Sequence, residues 1–151
     1  IVSTLMVASV VSAVGGCVGP GPDEVALDRF YRAERYFSAG DFQAAAPLYE
    51  SVILVRDRIM DAQRHLAVCY MEMDQIPDAV RVLRKVLQFV DTSDRTSKRL
   101  LAKCLIHLGK REEAVELYKE LVRDKPSDQE ELLRELAGLM EEKVRDMAIC
   151  P

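Results

Sequence analysis

From residue 26 onward, small and apolar side chains return at a fixed interval. Ala33, Ala67 and Ala102 stand 34 and 35 residues apart. Tyr36, Tyr70 and Leu105 keep the same steps, as do Ala45, Ala79 and Ala114, then Tyr49, Leu83 and Tyr118, and Val52, Val86 and Leu121. Gly40 and Gly109 share a slot in which Asp74 takes the middle place. A period near 34 is that of a helix–turn–helix array, in which each hairpin hides its apolar flank on the next. The pattern predicts an all-α fold with units over 26–59, 60–94 and 95–128.

Each column has a physical reading. The Ala columns sit where the two helices of a unit approach most closely, and the aromatic or Leu columns fill the hole between one unit and the next. Gly40-Asp41 and Gly109-Lys110 end a first helix with a residue that tolerates positive φ. Pro77 falls in the first turn of a second helix, where its missing N–H costs little. Pro47, inside the second helix of the first unit, is expected to forfeit one helical hydrogen bond and bend that helix. Pro126 closes the third unit, and Ser127 with Glu130 forms a capping box for a final helix.

The runs Leu66-Ala67…Tyr70…Ala79…Leu83 and Leu101-Ala102…Gly109…Ala114…Tyr118…Pro126 resemble the tetratricopeptide repeat. The first unit departs from that pattern, with Arg32 where Leu is usual, and none of the three has the early Trp. The resemblance implies a superhelical stack of helical hairpins acting as a protein-interaction scaffold. After it, 129–148 carries Leu132, Leu133, Leu136, Met140 and Val144 as one apolar stripe, with Glu and Arg around the rest. This is the polar-backed terminal helix that a stacked array needs, or the start of a fourth unit.

Residues 1–22 are different in kind. They carry no charge, and the apolar run over 1–16 has the length of a secretory h-region rather than of a bilayer span. The run ends in Val14-Gly15-Gly16-Cys17, which resembles the lipobox of bacterial lipoproteins. That resemblance implies cleavage before Cys17, diacylation of its sulfur, and a short tether over 17–24. Val18, rather than Asp, after the Cys implies the periplasmic face of the outer membrane. The chain opens on Ile with no basic residues ahead of the apolar run, as a sequence clipped at its start would. The alternatives are an apolar helix packed on the domain and an anchor that is never cleaved.

Composition narrows the chemistry. With 49% hydrophobic and 30% charged residues, the 151-residue chain can bury a continuous core. A net charge of −4 supplies no global basic field, so nucleic acid is not an expected partner. The chain has no His-Glu-x-x-His, no Gly-x-Ser-x-Gly and no phosphate loop ending in Gly-Lys-Ser/Thr, so neither enzyme activity nor a cofactor is expected. Glu112, Glu113, Glu116 and Glu120 read as a solvated helix face. His65 with Cys69, and Cys104 with His107, are types that zinc accepts. The two Cys are repeat-equivalent and point in the same sense, so they read as small buried hydrophobes, not as metal ligands or a disulfide.

In the family it resembles, the first helix of each unit lines a concave groove that takes a peptide or a partner helix. Carried over slot by slot, the groove residues are Phe30, Glu34 and Phe37, then Arg64, Val68 and Met71, then Arg99, Lys103 and Ile106. Such a groove is aromatic at one end and basic at the other, and its complement is a segment with apolar anchors and a carboxylate. Phe30 and Glu34 replace the Lys and Asn of the chaperone-tail clamp, so recognition of Hsp70 or Hsp90 tails is not expected. Phe30 and Phe37 could instead pack on the N-terminal segment. The reading is a membrane-anchored envelope scaffold or, alternatively, an adaptor module within a longer protein.

Overall fold

The computed structural model describes residues 21–124 and 129–148, with side chains over 21–123 and 129–141. Among the described residues seven α-helices follow one another: α1 (Pro22–Ser38), α2 (Phe42–Val55), α3 (Met60–Glu72), α4 (Ile76–Lys85), α5 (Arg95–His107), α6 (Arg111–Asp124) and α7 (Gln129–Ala148). A π-helical turn, Val86–Val90, extends α4. There is no strand among the described residues.

The three hairpin turns are built alike. Gly40, Asp74 and Gly109 each adopt positive φ, at 76°, 59° and 71°. Around each, two backbone bonds close the preceding helix. Gly40 N–H donates to Phe37 and Asp41 N–H to Tyr36; the pairs from Asp74 and Gln75, and from Gly109 and Lys110, repeat the geometry at 2.8–3.1 Å. Asp41 then caps α2 by accepting from Ala44 N–H, and Asp94 caps α5 by accepting from Ser97 N–H.

The change of period from 34 to 35 has a local cause. Val52 to Ala67 is a step of 15, and Val86 to Ala102 a step of 16. The extra residue is taken up in the π-turn, where Asp91 N–H reaches back five residues to the Val86 carbonyl at 3.0 Å. Val86 stays fully buried while Phe89 turns out to solvent.

Both Ala columns, with Tyr49, Leu83, Tyr118, Val52 and Leu121, are buried in the core. The hairpin partners pack on each other, and α1 packs on α3 and α3 on α5, whereas among the described residues the backbones of α2 and α4 stand more than 8 Å apart, as do those of α4 and α6. Helices in contact along one row and separated along the other make a curved stack, so α1, α3 and α5 line its inner side and α2, α4 and α6 its outer side.

Three expectations are corrected. Tyr36 is 40% exposed although Tyr70 and Leu105 in its column are buried. Tyr70 leans on the preceding unit, donating to Glu50 of α2, and Tyr36 has no such helix before it among the described residues. The apolar stripe of α7 is Leu132, Leu136 and Leu139, while Leu133 and Met140 are exposed, because the helix turns its second flank away from α6. Pro22, expected in the tether, is the first residue of α1, where its fixed φ suits the first turn and Asp23 and Glu24 face the helix N-terminus. Pro47 lies inside α2 with its ring exposed. The signal-like segment, Cys17, the cap at Ser127 and the Val144 side chain lie outside what is described. Among the described residues no helix is long and apolar enough to cross a membrane.

Candidate functional site

The residues expected to line the groove all sit on the inner row: Phe30, Glu34 and Phe37 on α1, Arg64, Val68 and Met71 on α3, Arg99, Lys103 and Ile106 on α5. Every one is half-buried, with part of each side chain on the packed interface and part open.

At the α1 end the chain builds an aromatic cluster around one carboxylate. Glu34 accepts a hydrogen bond from the Tyr49 hydroxyl at 2.6 Å and lies 2.7 Å from His65 Nδ1. Phe37 stacks on the His65 ring at 4.5 Å between centroids and meets Phe42 and Tyr49 edge-on. Phe30 also meets Tyr49 edge-on. Phe30 and Phe37 therefore pack on α2 and α3 with one side. Burial first, then the neighbouring Glu34 charge, pushes the Tyr49 hydroxyl pKa far above its usual value, so it remains a donor. Tyr49 and His65 were not among the expected groove residues. The sequence marks Tyr49 only as part of a core column and His65 only as a metal-ligand type.

The basic end is already matched with carboxylates from within the chain. Arg64 pairs with Asp61 at 2.5 Å and with Asp94 at 3.2 Å. Arg99 reaches Glu131 and Glu135 of α7 at 2.5 and 2.9 Å, and Lys103 stands 3.8 Å from Glu135. Burial works to raise the Glu135 pKa, but hydrogen bonds from Arg99 and Tyr118 hold it below the usual carboxylate value. The expectation of an open basic surface is thereby corrected: α7 brings its own acids to it. The only sign of this in the sequence is the acidic spacing Glu131 and Glu135 on the helix after the third unit.

Cys69 and Cys104 are free thiols at zero exposure, each pushed up to about 11 by burial. His65 turns to Glu34 and His107 is exposed. Among the described residues no three His, Cys, Asp or Glu side chains converge as a metal site would require.

Two family models, each described as tetratricopeptide repeat, match residues 36–98 and 99–130, together more than half of the chain. The chain belongs to the tetratricopeptide-repeat family. Solved structures agree on the fold. The first TPR domain of the human RPAP3 protein superposes with a TM-score of 0.73 at 18% identity, covering 85% of this chain and 99% of that one. The type III secretion translocator chaperone SycD of Yersinia enterocolitica gives 0.71 at 17% identity, with 83% and 89% covered. The first TPR of Spaghetti (RPAP3), bound to the HSP90 peptide SRMEEVD, gives 0.73 at 17%, with 81% and 95% covered. No curated protein matches the chain in sequence.

Proposed function

We propose that this tetratricopeptide-repeat chain is a protein-interaction scaffold whose inner row receives a peptide or helix from a partner, and that a lipid on Cys17 holds it on the bacterial cell envelope, at the periplasmic face of the outer membrane. The observation that carries the interaction reading is the half-buried strip of Phe37, Val68, Met71 and Ile106 running across three successive helices. Such a strip offers apolar anchor sites at regular intervals, the demand of groove recognition. A protein of the same fold, the first TPR of Spaghetti (RPAP3), is bound to an HSP90 peptide, which supports the use of this chain as a peptide receiver. With Arg64 and Arg99 engaged by Asp94, Glu131 and Glu135, apolar anchors carry recognition here, and chaperone-tail carboxylates do not. The anchor reading rests on Val14-Gly15-Gly16-Cys17 after an uncharged apolar run.

Affinity purification from cells of the source, with wild type against a Val68→Glu/Ile106→Glu variant whose helicity matches wild type, tests the groove. Partners lost from the variant support it; an unchanged set of partners counts against it. Metabolic palmitate labelling, lost in Cys17→Ser, tests the anchor, and equal labelling of that variant would reject it.

A further inference from the structure

The outer side of the stack has a feature that the inner groove does not use. Because α2 and α4 are held apart, a half-open trough of about 660 Å³ lies between them, floored by α3. Its deeper lining sets Ile53, Leu66 and Val82 beside the buried Gln63 and Tyr70. Its rim carries two large apolar side chains in water, Leu54 at 87% exposure and Phe89 at 66%. Phe89 is there because the π-turn inserts one residue after Val86 and rotates the chain outward, and such turns recur at functional sites. The next gap along, between α4 and α6, is bridged by Arg84 and Glu113 at 3.0 Å. No ion pair among the described residues bridges α2 to α4.

The charges around the trough are uneven. Arg58, Arg81 and Lys85 face Glu50 and Asp57, in a chain whose net charge is −4. Glu50 is engaged by the Tyr70 hydroxyl and Arg81 by Asp78 at 2.8 Å. The Arg58 and Lys85 side chains have no carboxylate partner among the described residues.

We propose that this outer trough is a second docking site, for a short amphipathic segment of a partner protein that presents large apolar side chains on one face and Asp or Glu beside them. The apolar side chains enter between Leu54 and Phe89, and the acids meet Arg58 and Lys85. A trough open along its length suits a segment with a polar back that stays wet, whereas a small amphiphile would be left half-exposed. The site is separate from the inner row, so two partners can be held on opposite faces of one stack.

The test uses the full chain, fluorescently labelled, on an array of synthetic dodecapeptides that combine Glu or Asp with spaced Leu, Ile or Phe, beside a matched array with Lys in place of every acid. Retention of acidic–apolar peptides is expected to fall at least tenfold in Arg58→Glu/Lys85→Glu and in Leu54→Ser/Phe89→Ser. It is expected to persist in Val68→Glu/Ile106→Glu. The four outer residues are exposed, so helicity and melting temperature should match wild type and show that the variants fold. Equal retention on the Lys array, loss only in the inner-row variant, or no acidic–apolar peptide retained would each overturn the proposal. So would a Leu54→Ser/Phe89→Ser variant that converts a dimer to a monomer in sedimentation while leaving peptide retention unchanged, since the occupant is then a second copy.

Discussion

The Tyr49 hydroxyl donates to Glu34 at 2.6 Å, and the same carboxylate oxygen lies 2.7 Å from His65, so one acid ties α1 to α2 and to the next unit. Tyr49 has zero exposure. Tyr49→Phe removes the buried donor and leaves Glu34 to His65 alone. It is expected to destabilise the fold by about 1 kcal/mol, and Glu34→Ala by about 2 kcal/mol because two donors lose their acceptor. Urea unfolding followed by circular dichroism reads both, and values within error of wild type would remove the cluster from the account of stability.

Alkali should unfold the chain in a particular way. Burial, reinforced by Glu34, Glu50 and Glu135 respectively, raises the pKa values of Tyr49, Tyr70 and Tyr118. Unfolded tyrosine ionises near 10. The native state therefore holds these protons more tightly, and the stability this confers is complete below about pH 10 and lost progressively above it. Tyrosinate absorbance for these three should rise together with the loss of helix signal. Ionisation of all five tyrosines near pH 10 with the helices intact would contradict it.

The contact of α7 depends on Arg99. Its two carboxylates are about a third to two-thirds exposed, so screening limits the pair, and Arg99→Met is expected to cost about 1 kcal/mol. The loss should concentrate in α7, as faster amide exchange there with α1–α4 unchanged. Glu135 titrates below its ordinary value in the fold, so its share of stability is present above the unfolded pKa near 4.3 and fades as pH falls through the lowered one. A double-mutant cycle with Glu135→Gln showing no coupling at pH 7 would refute the link.

Asp74 holds the left-handed turn that Gly40 and Gly109 hold in the other two hairpins. A side chain costs about 1 kcal/mol there. Asp74→Gly should raise stability by up to about that amount, while Gly40→Ala and Gly109→Ala should each lower it similarly. Space is not the obstacle at either glycine, since a Cβ would meet nothing within 4 Å. Thermal melts of the three variants decide the matter, and a destabilised Asp74→Gly would overturn this account of the turn.

The fold was legible in the sequence because a stacked array writes its core at one period. Ala45, Ala79 and Ala114 are each at zero exposure, and a larger residue has nowhere to go at any of them. Even the middle turn could be read, since Asp74 stands in the glycine slot. Local spacing did not reveal what depends on the neighbouring unit. Tyr36 has the same spacing as Tyr70, yet its exposure is decided by whether a helix precedes it. Leu133 and Met140 fit an apolar stripe, but the seat of α7 on α6 chose Leu132 and Leu139 instead. At the candidate site, Arg64 and Arg99 could be placed by register. Apart from Asp61, one turn from Arg64, their charge partners Asp94, Glu131 and Glu135 lie 30 to 36 residues away along the chain and are matched only by packing.

The row of first helices touches continuously while the outer helices stand apart. The assembly is therefore shaped like a book standing open, with the inner row as its spine and each outer helix, as a leaf, also seated on the inner helix that follows it. A small rotation about the spine moves the outer edges of α2 and α4 much farther than it moves Val68 or Met71. Whatever wedges between those leaves fixes the opening of the book, and with it the bend of the surface on the other side.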